Sequence, residues 1–121
     1  MTLLALLIAL LVAICLSTGQ LLFKQAALSI GETAASFDLI KQLVLNPWLF
    51  AGLVLYLLTT VVWVLLLRTA PVSVVYPVTG LSFLLVPLAS HLIFGEAYSS
   101  RIFLGGALIC AGIALVGVEI K

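Results

Sequence analysis

Hydrophobic residues fill this chain in four long stretches, and the polar residues gather where those stretches end. A bilayer core of about 30 Å is crossed by about 20 helical residues rising about 1.5 Å each. Four segments reach that length: Thr2 to Leu28, Pro47 to Leu67, Val72 to Phe94 and Arg101 to Ile120. The connections from second to third and from third to fourth are short, so those neighbours must be antiparallel hairpins. The pattern predicts an all-α membrane protein with four transmembrane helices in a single domain over residues 1–121. The first stretch resembles a secretory signal in its apolar run and small-residue tail. It lacks a basic leading region and further spans follow it, so it is read as a retained helix.

Between the first two spans lies SIGETAASFDLIKQLVLNP. Ile30-Gly31 reads as a helix stop, and Asn46-Pro47 as a cap and first-turn proline for the second span. Phe37, Ile40 and Val44 share one face of the intervening stretch, with Asp38, Lys41 and Gln42 largely elsewhere. That arrangement predicts a short helix lying in the headgroup layer, with a plain amphipathic linker as the alternative. In the third span, APVSVVYPVTGLSFLLVP, Pro77 and Pro87 each remove a backbone hydrogen bond and Gly80 adds freedom between them. Such a helix is expected to bend beside a cavity, although proline and glycine also serve packing in membrane helices. The fourth span carries Gly105, Cys110, Ala111, Gly112 and Gly117, which let another backbone approach, within the chain or across a dimer seam.

Composition settles the solvent. Hydrophobic residues make up 65% of the 121, charged residues only 7%, and the mean hydropathy is +1.45. Soluble domains carry roughly a quarter charged residues, so lipid must surround most of this chain. A net charge of +1 leaves no nucleic-acid footprint. Cys15 and Cys110 sit in apolar runs without metal-ligand spacing and read as buried thiols. Nucleophile–base pairs, paired carboxylates within a span, phosphate-binding glycine loops and metal constellations are all missing, so neither an enzyme nor a cofactor is expected. Basic residues nearly balance between the two sides, Lys41 and Arg101 with Lys24 against Arg68, Lys121 and the terminal amine. Orientation is therefore weakly specified.

The candidate chemistry begins in STGQLLFKQA, residues 17–26. At about 100° per residue, Ser17, Gln20 and Lys24 fall within about 60° of one another. Ala9, Ala13 and Ala27 extend this narrow stripe, and leucine, isoleucine and valine cover the opposite face. A lysine near a span end can anchor at headgroup level by snorkelling. An anchor has no need of a polar ladder below it, whereas a site for an anionic or hydrogen-bonding headgroup does. Lys24, Gln20 and Ser17 are therefore candidate substrate-binding residues, and Gln25, off the stripe but beside Lys24, is a candidate helper. Tyr76 and Thr79, beside Pro77, and the deep Trp63 are candidates for the wall of the same cavity, with interhelical bonding or packing as their alternative roles. Trp48 suits an aromatic belt. His91 suits an interface position, and Glu96 and Arg101 suit a solvated pair or helix-end role.

LICAGIALVG in span four, the preceding FGEAYSSRIFLGG, PVSVVYPVTG in span three and GQLLFKQA in span one together resemble the small multidrug resistance superfamily. The resemblance implies four-helix subunits paired as homodimers or heterodimers with a related subunit. It also implies a cavity lined by the first three helices, with span four at the dimer contact. Members exporting cations carry a glutamate in the middle of the first helix; counting back from Lys24, that place is Leu16. The branch without this acid resembles the aminoarabinose-phosphoundecaprenol flippase subunits. That likeness implies a transporter of a polyprenyl-phosphate sugar or similar anionic lipid in the bacterial inner membrane. Two other readings stay open: an exporter of small polar or cationic metabolites completed by a partner subunit, and a non-transporting scaffold for a glycosyltransferase.

Overall fold

The computed structural model describes residues 3–30 and 36–117. Gly31 of the expected helix stop, together with Thr2, Glu32, Glu119 and the last residues of the fourth span, lies outside them. The elements are α1 (Leu3–Ser29), α2 (Ser36–Val44), α3 (Pro47–Leu67), α4 (Val72–Val78), a 3-10 turn (Thr79–Leu81), α5 (Ser82–Phe94) and α6 (Ser100–Gly117). With α4, the turn and α5 counted as one span, four helices are long and apolar enough to cross a membrane. The chain is a multi-pass membrane protein.

Helix α3 begins where Asn46-Pro47 predicts. The Asn46 side-chain oxygen accepts from the backbone N–H of Trp48 at 2.9 Å and of Leu49 at 3.2 Å. Those are two of the donors that a helix start leaves without partners. Its amide nitrogen donates to the Ala26 carbonyl at 3.2 Å and to Ser29 Oγ at 2.8 Å. One buried side chain thus caps α3 and clamps it to the end of α1. The intervening α2 is a helix with no buried residue, and its apolar face, Phe37, Ile40 and Val44, is exposed. It is the interfacial element the pattern predicts.

The most extensive helix pair is α1 with α3. The rings of Tyr56 and Phe23 lie edge to face with centroids 5.0 Å apart. Tyr56 of α3 occupies the space a Cβ on Gly19 of α1 would need, and Phe23 of α1 does the same to Gly52 of α3. Each helix offers a glycine to the other's aromatic ring. Toward the other membrane face, Ala5 and Ala9 of α1 close a small core with Leu66, Ala70, Val75 and Val78.

The third span is interrupted once. Backbone angles stay right-handed helical through Val78, Leu81 and Ser82, but the pattern tightens to 3-10 at Thr79–Leu81, directly after Pro77. Pro87, by contrast, sits inside an unbroken α5. Helix α6 packs mainly on α4, the turn and α5. Gly106 takes the Leu84 side chain, while an added Cβ at Gly105 or Gly112 would meet nothing within 4 Å among the described residues. The glycine that serves intrachain packing is Gly106, which lies beside Gly105 but was not in the expected set.

Candidate functional site

The stripe of α1 changes partners along its length. Ala9, Ala13 and Ser17 are buried, whereas Gln20, Lys24 and Ala27 emerge. Ser17 Oγ donates to the Ala13 carbonyl at 2.7 Å, so its polar group is satisfied within its own helix. Gln20 Nε2 donates to the Tyr56 hydroxyl at 2.6 Å, tying the second rung to α3. Lys24 Nζ lies 3.2 Å from Glu96 Oε1, with the two side chains 43% and 44% exposed. Gln25 is half-buried and about 100° round the helix from Lys24.

Glu96 belongs to the connection between α5 and α6. Gly95, at φ 71°, ends α5 in the left-handed region that favours glycine. The Glu96 carbonyl lies 2.7 Å from His91 Nδ1. A carbonyl only accepts, so that ring nitrogen carries the hydrogen. The His91 ring also lies against the Tyr98 ring, centroids 5.9 Å apart. His91 thus fixes the turn that aims Glu96 at Lys24, and Arg101 takes no part in the pair.

Trp63, Tyr76 and Thr79 do come together. With Val12, Leu16, Thr59 and Thr60 they line a hollow of about 190 Å³. Trp63 and Tyr76 meet edge to face with centroids 6.4 Å apart. The hydroxyls of Thr59, Thr60 and Thr79 donate to the carbonyls of Leu55, Tyr56 and Tyr76. With their hydrogens committed to their own helices, they turn only acceptor lone pairs toward the hollow. A more open hollow of about 540 Å³, reaching Ser82, Phe83 and Ile109, shares Leu16, Tyr76 and Thr79. Among the described residues, no charged one lines either hollow.

The predicted residues therefore divide into two zones. Trp63, Tyr76 and Thr79 form an uncharged cleft against Leu16, and Lys24 stands eight residues further along α1, roughly 12 Å toward the membrane face. Tyr56, Thr59 and Thr60 were not singled out from sequence, and Glu96, expected in a solvated pair or helix-end role, is paired with Lys24 rather than Arg101. The Thr59-Thr60 pair inside an otherwise apolar span is a signal that could have found the cleft. No sequence signal joins Glu96 to Lys24, 72 positions apart, because only the return of the third span brings its loop beside the end of the first.

A bundle of four apolar helices, with an uncharged cleft at mid-depth and an ion pair at one edge, defines a membrane transport protein of the small multidrug resistance type. The chain belongs to the family of aminoarabinose-phosphoundecaprenol flippase subunits. It is 36% identical over 110 residues to the probable 4-amino-4-deoxy-L-arabinose-phosphoundecaprenol flippase subunit ArnE of Aeromonas salmonicida, covering 89% of this chain and 94% of that one. It is 34% identical over 113 residues to the same-named subunit of Serratia proteamaculans, covering 93% and 95%. With that of Escherichia fergusonii the identity is 38% over 100 residues, covering 83% and 85%. No family model and no solved structure matches the chain.

Proposed function

We propose that the protein is one subunit of a flippase that carries a sugar linked to polyprenyl phosphate, aminoarabinose-phosphoundecaprenol or a close analogue, across the bacterial inner membrane. The observation that carries this reading is Leu16 in the wall of the uncharged mid-depth cleft, with the charges of Lys24 and Glu96 held apart from it at one end of the bundle. A drug cation crossing at mid-depth needs a counter-charge there to offset its desolvation, and Leu16 offers none. A lipid keeps its prenyl tail in hydrocarbon and asks the protein to shelter only a sugar and a phosphate. Acceptor hydroxyls in the cleft suit sugar hydroxyl groups during passage, and Lys24, with Gln20 and Gln25 nearby, suits the phosphate where the headgroup is held at the membrane face.

The relatives are named as subunits, and a second subunit is part of the proposal. The outward side of α6 supports it: Gly105 and Gly112 stand one heptad apart with open space before them. Reconstitution in liposomes with a labelled polyprenyl-phosphate sugar tests the reading. Lys24→Ala and Lys24→Glu should abolish flipping while leaving insertion intact. Flipping that survives both changes removes Lys24 from the site, and wild-type protein that moves no labelled lipid favours the scaffold reading instead.

A further inference from the structure

Lys24 is already neutralised by Glu96, so an incoming phosphate must take the lysine from that carboxylate. A purely anionic headgroup would do so at a loss, leaving Glu96 unpaired beside a new negative charge. A headgroup carrying one anion and one cation can instead exchange with the pair, each protein charge finding its opposite on the ligand. We infer that Glu96 is a specificity-determining residue, binding the ammonium group of an amino sugar while Lys24 binds the phosphate of the same lipid. This inference rests on the flippase reading above and narrows it to zwitterionic headgroups.

Three features support an exchangeable pair rather than a structural strut. Both side chains are almost half exposed, so the bond is open to ligand and costs little to break. The Glu96 backbone is independently held, its carbonyl by His91 Nδ1 and its N–H by the Ser90 carbonyl at 3.4 Å, so the loop does not need the ion pair to keep its shape. The two charges also come from different spans, the end of α1 and the turn after α5. Each charge rides on a long, partly exposed side chain, so rotation about side-chain bonds can part them. The name borne by the relatives describes such a headgroup, with a phosphate on one side of a pentose and an amine on the other.

The test is binding of two probes to the full-length purified protein: farnesyl-phosphate-linked 4-amino-4-deoxy-L-arabinose and its N-acetyl derivative, which keeps the phosphate and loses the cation. Wild type should prefer the amine by roughly fivefold, the effect of a partly exposed ion pair. Glu96→Gln should bind both alike, Glu96→Asp should restore the preference, and Lys24→Gln should weaken both probes. Equal binding of the probes by wild type overturns the inference and leaves the flippase reading standing. So does a preference that persists in Glu96→Gln. If wild type binds neither probe, the flippase reading fails and this inference with it. A lower melting temperature in Glu96→Gln with an unchanged preference assigns the pair a structural role only.

Discussion

Single side chains do unusual amounts of joining in this small bundle. Gly19 and Gly52 are fixed by the rings of Tyr56 and Phe23, so a methyl group at either position must displace an aromatic wedged between two backbones. Gly19→Ala and Gly52→Ala should each cost about 1–3 kcal/mol, read as a lower melting temperature in detergent. Gly105→Ala, which meets open space, should leave that temperature unchanged. Asn46 combines a helix cap with a clamp on α1. Asn46→Ala should lose about 1 kcal/mol from the cap alone. Asn46→Asp should fail to restore full stability, because a carboxylate keeps the cap but cannot donate to the Ala26 carbonyl. Equal stability of Asn46→Asp and wild type would show that the clamp contributes nothing. None of these pairings is written in local sequence: a glycine in a leucine-rich run announces a close approach without saying to what.

The elements themselves were legible to a much greater degree. Length and hydropathy place α3 and the third span at their observed limits, and Asn46-Pro47 marks the start of α3 because capping chemistry is local. The amphipathic pattern of α2 was equally readable. The bend of the third span was only half so. Two prolines predict two perturbations, yet the helix tightens only after Pro77 and runs straight past Pro87 in its hydrogen-bonding pattern. Gly80, where an added Cβ would meet Ile109 and Ile113 of α6 at ordinary contact distance, lies in the tightened turn and sets the two apart. If this turn is where the span flexes, Pro77→Ala should stiffen it by giving residue 77 an N–H to donate to the Ser73 carbonyl. The expected result is equal or higher thermal stability with several-fold slower lipid flipping in liposomes. An unchanged rate would move the flexing joint away from Thr79–Leu81.

At the scale of the molecule, the sequence shows which residues are polar but not how the spans divide them. The stripe of Ser17, Gln20 and Lys24 is continuous on a helical wheel, yet Ser17 turns to its own helix, Gln20 to α3 and Lys24 to the last loop. Assembly of four helices decides that, and no single-helix projection contains it. The same scale governs partnership. Gly105→Leu combined with Gly112→Leu should leave the subunit's helicity intact and reduce its pairing with a second subunit, measured by crosslinking in native membranes; pairing that persists would shift the seam off α6. The interlock of Gly19 and Gly52 with Tyr56 and Phe23 bears on how such an assembly can move. Meshed in this way, α1 and α3 behave like two racks with engaged teeth: sliding either by one helical turn would drive a ring into a side chain where only a hydrogen atom fits. The pair is therefore built to travel as a single rigid arm, and in the proposed flippase the strokes that carry cargo would fall to the remaining helices swinging against it.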